Sequence, residues 1–168
     1  FYRARSQGFA HDPTRALSPV RCGKIPVMSS LFLVPENFPE LSAALASGRW
    51  VIACLCAGWC DVCKQYRAGF DALAVQHPEH QFVWIDIEDQ ADLVGDLDVE
   101  NFPTILIQKD DIVAFYGTMM PEPRLIARMM EAQLSRTEEE LRREASSTPE
   151  RQKWQAECNL SARLDEVS

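Results

Sequence analysis

The chain has 168 residues, 46% of them apolar and 25% charged, with a formal net charge of -8. That is the size of one domain with extensions and the balance of an ordinary globular protein, which excludes a wholly disordered or fibrous chain. No apolar run approaches the ~18 residues of a membrane span; the longest, Trp50 to Ala57, is bounded by Arg49 and Gly58, so no membrane partner is expected. The charge is uneven, with a net of +4 over residues 1–30, -10 over residues 31–134 and -2 over the remainder. Nucleic acid is not an expected partner, because phosphate binding needs clustered Lys and Arg. The acidic run from Asp86 to Glu100 lacks the ligand alternation and the closing Gly and Glu of a calcium loop, and reads as solvated surface.

Residues 1–30 hold Pro13, Pro19 and Pro26 and few periodic apolar positions, and read as a basic, disordered extension. They show no secretory h-region; their Arg-rich composition is also that of a transit peptide, without its amphipathic period. Met28 stands just before the first strand-like run, and the functional protein is expected to begin there. A strand is predicted over Leu31–Val34, then a helix to about Ser47 with Asn37 as its N-cap, Pro39 in its first turn and Gly48 at its stop. Trp50–Cys56 is a continuous apolar run without alternation, the pattern of a central strand covered on both faces. A long helix follows from Cys60 to about Gln76, with Tyr66, Phe70, Leu73 and Ala74 on its inner side. Gln81–Ile87 is the next strand and Ala91–Asp98 a short helix. Thr104–Gln108 and Ile112–Tyr116 form a hairpin, and from Pro121 a helix presents Leu125, Ile126, Met129, Met130 and Leu134 to the core. Past Thr137 the charge density rises, so the helix is expected to run on into solvent. The predicted division is an extension over 1–30, a domain over 31–136 and a charged helix with a mobile tail over 137–168.

Six cysteines are too few and too unevenly placed for a secreted disulfide framework, and four of them, Cys54, Cys56, Cys60 and Cys63, fall within ten residues. Cys60 and Cys63 form a Cys-x-x-Cys pair at the junction of a buried strand and a helix. A helix N-terminus presents unpaired N–H groups and the positive end of the dipole, which favour a thiolate, so Cys60 is the expected nucleophile. Cys63, one turn further on and more buried, suits a resolving thiol. Cys54 and Cys56, two apart on a strand, point to one face, either as small core hydrophobes or with Cys54 as an accessory redox thiol. A metal site of all four thiolates is the remaining reading, although a stiff central strand converges them poorly. His77 and His80 read as exposed loop residues, and Cys22 and Cys158 as chance exposed thiols in the tails.

In its motifs and their order the chain resembles the thioredoxin family over about residues 31–134. The family's Trp-Cys-x-x-Cys stands at Trp59–Cys63 with Lys64 after it, Phe102-Pro103-Thr104 matches the cis-proline loop, and Gly117 follows in the hairpin. The resemblance implies an α/β, thioredoxin-like fold with a central mixed sheet of about five strands flanked by helices. It implies a thiol–disulfide oxidoreductase cycling Cys60 and Cys63, with Trp59, Phe102, Pro103 and Thr104 forming a groove for an extended substrate. No cofactor or metal is expected. The partners implied are a protein disulfide and a separate dithiol or flavin reductase; a monomer is expected, and the lack of a visible secretory signal sets the expected compartment as the cytoplasm. The chain departs from the family at Asp61-Val62 between the cysteines, at Cys54 in place of a buried acid, at Trp84 in place of its lysine, and at Ala68 in place of a helix proline. A non-catalytic binding module on the same fold is the alternative.

Overall fold

The computed structural model describes residues 29–97 and 99–168; the expectations for residues 1–28, including a start at Met28 and an exposed Cys22, lie outside them. β1 is two residues, Leu31–Phe32. The predicted strand is cut short because the Asn37 side chain accepts the Val34 N–H at 2.9 Å and donates to the Phe32 carbonyl at 2.8 Å, folding the chain into a 3-10 turn at Pro35–Asn37. Asn37 stands at the N-cap position of α1, Phe38–Ala46, as expected, but its side chain ties this turn and makes no capping bond. β2 is Trp50–Cys56, buried at all seven positions; α2 is Asp61–Gln76, β3 Gln81–Asp86 and α3 Ala91–Val94. β4 is Thr104–Lys109, β5 Ile112–Thr118 and α4 Pro123–Leu134.

The strands form one sheet in the order β1-β3-β2-β4-β5, parallel through β1, β3 and β2 and antiparallel through β4 and β5. Side chains alternate along β2, so each face builds its own core. Trp50, Ile52, Cys54 and Cys56 pack with Tyr66, Phe70 and Leu73 of α2 and Ile126 and Met130 of α4. Val51, Ala53 and Leu55 pack on the other face with Leu41 and Leu45 of α1 and Leu93 of α3. In α4 the stripe is rotated from the predicted one, since Gln133 is buried and Leu134 is 36% exposed.

Beyond α4 the chain does not run on into solvent as a helix, nor does it end in a mobile tail. Thr137 and Glu140 form a capping box that starts α5, Glu138–Ala145, whose Leu141 is buried. α6, Pro149–Glu157, packs along β5 with Trp154 edge-on to Phe115, and α7, Leu160–Val167, docks on α1 and α3. Leu160 and Leu164 are fully covered, and so is Cys158, which is a core residue and not an exposed thiol. Charge density misled the sequence reading because these helices bury few apolar side chains, Leu141 in α5, none in α6 and Leu160 and Leu164 in α7, and are fastened by polar contacts. Gln108, Asn159 and Gln155 supply these.

Candidate active site

β2 leaves the sheet at Cys56 and turns through Ala57–Cys60, closed by the Cys60 N–H on the Ala57 carbonyl at 2.9 Å. A Cβ at Gly58 would stand 3.0 Å from Asp86 Oδ2 and would push that carboxylate aside. Cys60 is the N-cap of α2, partly exposed, and its carbonyl accepts the Lys64 N–H at 3.1 Å. Cys63 lies in the first turn, facing inward and 1% exposed. Asp61 points to solvent and pairs with Lys64 at 3.6 Å, so the acid next to Cys60 carries its own counter-charge.

Trp59 is 64% exposed; its ring meets Phe102 edge-on at 5.6 Å, and its Nε1–H donates to Glu88 at 3.1 Å. The Phe102–Pro103 peptide is cis, and the Pro103 carbonyl accepts the Met119 N–H at 3.1 Å. Trp59, Phe102 and the exposed Val62 and Met120 supply the apolar surface of this end of the sheet. Thr104 is 2% exposed and its hydroxyl donates to the Asn101 carbonyl at 2.7 Å, so it shapes this loop from below.

Cys63 is bonded to Cys56, with Cα atoms 6.1 Å apart, while Cys54 and Cys60 are free thiols. The expected partners were Cys60 outside or Cys54 beneath; strand geometry explains the difference. Alternation turns both Cys54 and Cys56 toward α2, but Cys56 is the last residue of β2 and so lies level with the first turn of α2, whereas Cys54 sits one step deeper. The period-two spacing marks Cys54 and Cys56 as sharing this face but does not choose between them; only the level at which α2 begins does. Cys54 Sγ lies 3.7 Å from Cys56 Sγ, and since the bonded Cys56 sulfur holds no proton, Cys54 donates. Burial pushes the Cys54 thiol well above the usual range, opposed by the charge of Arg67.

Arg67 was not anticipated. Its guanidinium lies 4.7 Å over the Trp84 ring and pairs with Asp71 at 3.2 Å, and Trp84 is the register partner of Cys54. A positive charge is thus brought to the sulfurs from α2 where the family's lysine would come from β3. A cleft of about 270 Å³ between Gly58, Cys63, Lys64, Arg67, Trp84 and Asp86 leads from the surface to the flank of Cys63. The Tyr66 hydroxyl is buried below the thiols without a hydrogen-bond partner among the described residues, and burial raises its pKa.

With Cys56 and Cys63 joined, the four cysteines do not offer four thiolates in this state. At the far end of the sheet, His77, Glu79 and His80 bring one ligand atom each within 4.8 Å of one another. His80 is more enclosed than a loop histidine was expected to be, its side chain 11% exposed beside Glu79 at 3.3 Å. Arg49 holds the same loop by the carbonyls of Pro78, Glu79 and His80.

Known proteins resemble this arrangement. A Streptomyces coelicolor relative is 26% identical over 87 residues, 52% of this chain, which spans 63% of that relative's length. Mouse thioredoxin is 30% identical over 82 residues, 49% of this chain and 77% of the mouse protein. The crystal structure of poplar thioredoxin h superposes with a TM-score of 0.58 at 20% identity, over 66% of this chain and the whole of the poplar chain, a likeness of fold. The family model described as Thioredoxin matches residues 29–131, more than half of the chain. With that match added to the mixed five-stranded sheet and the Cys-x-x-Cys at the head of α2, the chain belongs to the thioredoxin family.

Proposed function

We propose that this protein is a thiol–disulfide oxidoreductase that reduces protein disulfides in the cytoplasm. The observation that carries the reading is the pair at the start of α2: a partly exposed Cys60 at the N-cap and a buried Cys63 one turn on, beside Trp59, Phe102 and Pro103. The Cys60 thiolate attacks a substrate disulfide, one substrate sulfur leaves as thiolate, and a mixed disulfide forms. Cys63, reduced in the working dithiol form, then attacks the Cys60 sulfur, releases the second substrate thiol and leaves Cys60 bonded to Cys63. Two electrons pass to the substrate, and a separate dithiol or flavin reductase returns them. An extended substrate segment would run along the backbone at Phe102 and Pro103.

The test is reduction of insulin with dithiothreitol as electron source. Cys60→Ser should abolish turnover, because no other exposed thiol stands at a helix N-terminus among the described residues. If the protein were a binding module, the wild type would not turn over insulin and Cys60→Ser would still capture the same partner.

A further inference from the structure

Cys63 stands between two sulfurs that lead in opposite directions. Cys60, three residues back and therefore a neighbour on the helix surface, opens to solvent. Cys56, to which Cys63 is bonded, ends β2 inside the core. Beneath it Cys54 donates its proton toward the Cys56 sulfur over 3.7 Å, and burial keeps Cys54 in its protonated form. The core thus holds a bonded acceptor sulfur together with a thiol set to stabilise that sulfur when it is released.

We propose that Cys56 is a third redox-active cysteine and that Cys63 passes its bond between Cys56 in the core and Cys60 at the surface, giving the oxidised protein two disulfide isomers. The proposal rests on the oxidoreductase reading and adds a regulated state to it. In the exchange Cys60 loses a proton and its thiolate attacks the Cys63 sulfur. The Cys63–Cys56 bond breaks as the Cys60–Cys63 bond forms. Cys56 leaves as a thiolate, accepts the hydrogen bond of Cys54 and takes up one proton, so charge balances and no electron is gained or lost. In the core isomer both bonded residues are 1% exposed, shielding the disulfide from dissolved reductants, while Cys60 is a free thiol. Cys60 can then form a mixed disulfide that nothing resolves, and the protein holds its partner. In the surface isomer the disulfide is open to a reductase and the dithiol cycle resumes.

The experiment uses the full chain, oxidised with glutathione disulfide, alkylated while folded, and mapped by mass after cleavage on both sides of Cys60. In the wild type Cys60 should be alkylated and Cys56 linked to Cys63. Cys60→Ser should keep that link, and its opening by reduced glutathione should slow by about tenfold or more, because the attacking thiolate is gone. Cys56→Ser should move the link to Cys60–Cys63 and protect Cys60 from alkylation. If Cys56→Ser does not fold, the Cys60→Ser arm decides. A wild type linked only through Cys60–Cys63, with no disulfide in Cys60→Ser, overturns the proposal. Insulin turnover is read separately: activity with only the Cys60–Cys63 link removes this inference and keeps the oxidoreductase reading, whereas isomer exchange without turnover does the reverse.

Discussion

Gln108 lies fully buried in the apolar strand β4, and its amide fastens the C-terminal helices to the sheet. Its Nε2 donates to the Asp110 carbonyl at 2.8 Å and to Asn159 Oδ1 at 2.9 Å, and its Oε1 accepts the Leu160 N–H at 2.8 Å. Gln108→Leu keeps the volume and deletes these bonds together with a longer one from Nε2 to Ser161 Oγ at 3.4 Å. Asn159 Oδ1 retains the Ser161 N–H at 3.0 Å and the Asp110 carbonyl retains Ser161 Oγ at 3.5 Å, so the main loss falls on the Leu160 N–H, in a residue only 2% exposed. One orphaned buried donor costs about 1–3 kcal/mol, so the loss is about 2 kcal/mol. At a urea slope of about 2 kcal/mol per molar, the unfolding midpoint should fall by about 1 M with the slope unchanged. The Cys56–Cys63 link should survive, since Gln108 stands near the Trp50 end of β2 and Cys56 at the other. A midpoint within about 0.2 M of wild type would refute the reasoning, because it would mean that α7 does not unfold together with the sheet.

Trp59→Ala should cost about 1 kcal/mol or less, the ring being 64% exposed with one edge contact. It should lower kcat/KM for insulin more than for a small disulfide; equal effects would remove Trp59 from the substrate surface. Gly69→Ala gains about 1 kcal/mol of helix propensity, but its Cβ would stand 2.5 Å from Pro123 Cγ. Repacking α4 should cost about 1–3 kcal/mol and prevail, lowering the Tm; a raised Tm would show that α4 yields freely. His80 is held below its ordinary pKa by burial, with His77 and Arg49 acting the same way and Glu79 against them. The unfolded chain therefore binds the proton more readily, so this contribution is present above pH 6.5 and is lost as the pH falls below it. His80→Gln should flatten that decline in Tm between about pH 7 and about pH 5; an unchanged decline would assign it to other groups.

The central strand and the helix that follows it were legible because their signals are local: an unbroken apolar run ending in a Cys-x-x-Cys at a helix start. The partner of Cys63 was not, because spacing along a strand tells which face a cysteine shares and not its depth relative to the next helix. Cys54 and Cys56 are equivalent by face, and only the level at which α2 begins separates them. The C-terminal helices failed for another reason. Their capping box at Thr137 and Glu140 was readable in the chain, yet their anchors are amides, Gln108 and Gln155, which hydropathy assigns to solvent. Arg67 was overlooked in the same way, as a charge on a helix surface whose target, Trp84, comes from a distant strand.

The same amides settle where an extended chain can join this sheet. Gln155 accepts the Val113 N–H and donates to the Val113 carbonyl, both at 2.8 Å, so one side chain takes the place of a strand residue at the edge of β5. α6 packs against β5 there, with Trp154 edge-on to Phe115. At the opposite edge β1 offers two residues, too short to template a further strand. An incoming peptide thus finds β5 occupied at Val113 by a side-chain mimic and β1 too brief to extend. The backbone it can meet is the loop at Phe102 and Pro103, which lies beside Trp59 at the end of the sheet where the sulfurs stand. α6 therefore does more than add stability. In the proposed function, its Gln155 would keep an extended partner from pairing at Val113 and leave it the end of the sheet where Cys60 stands.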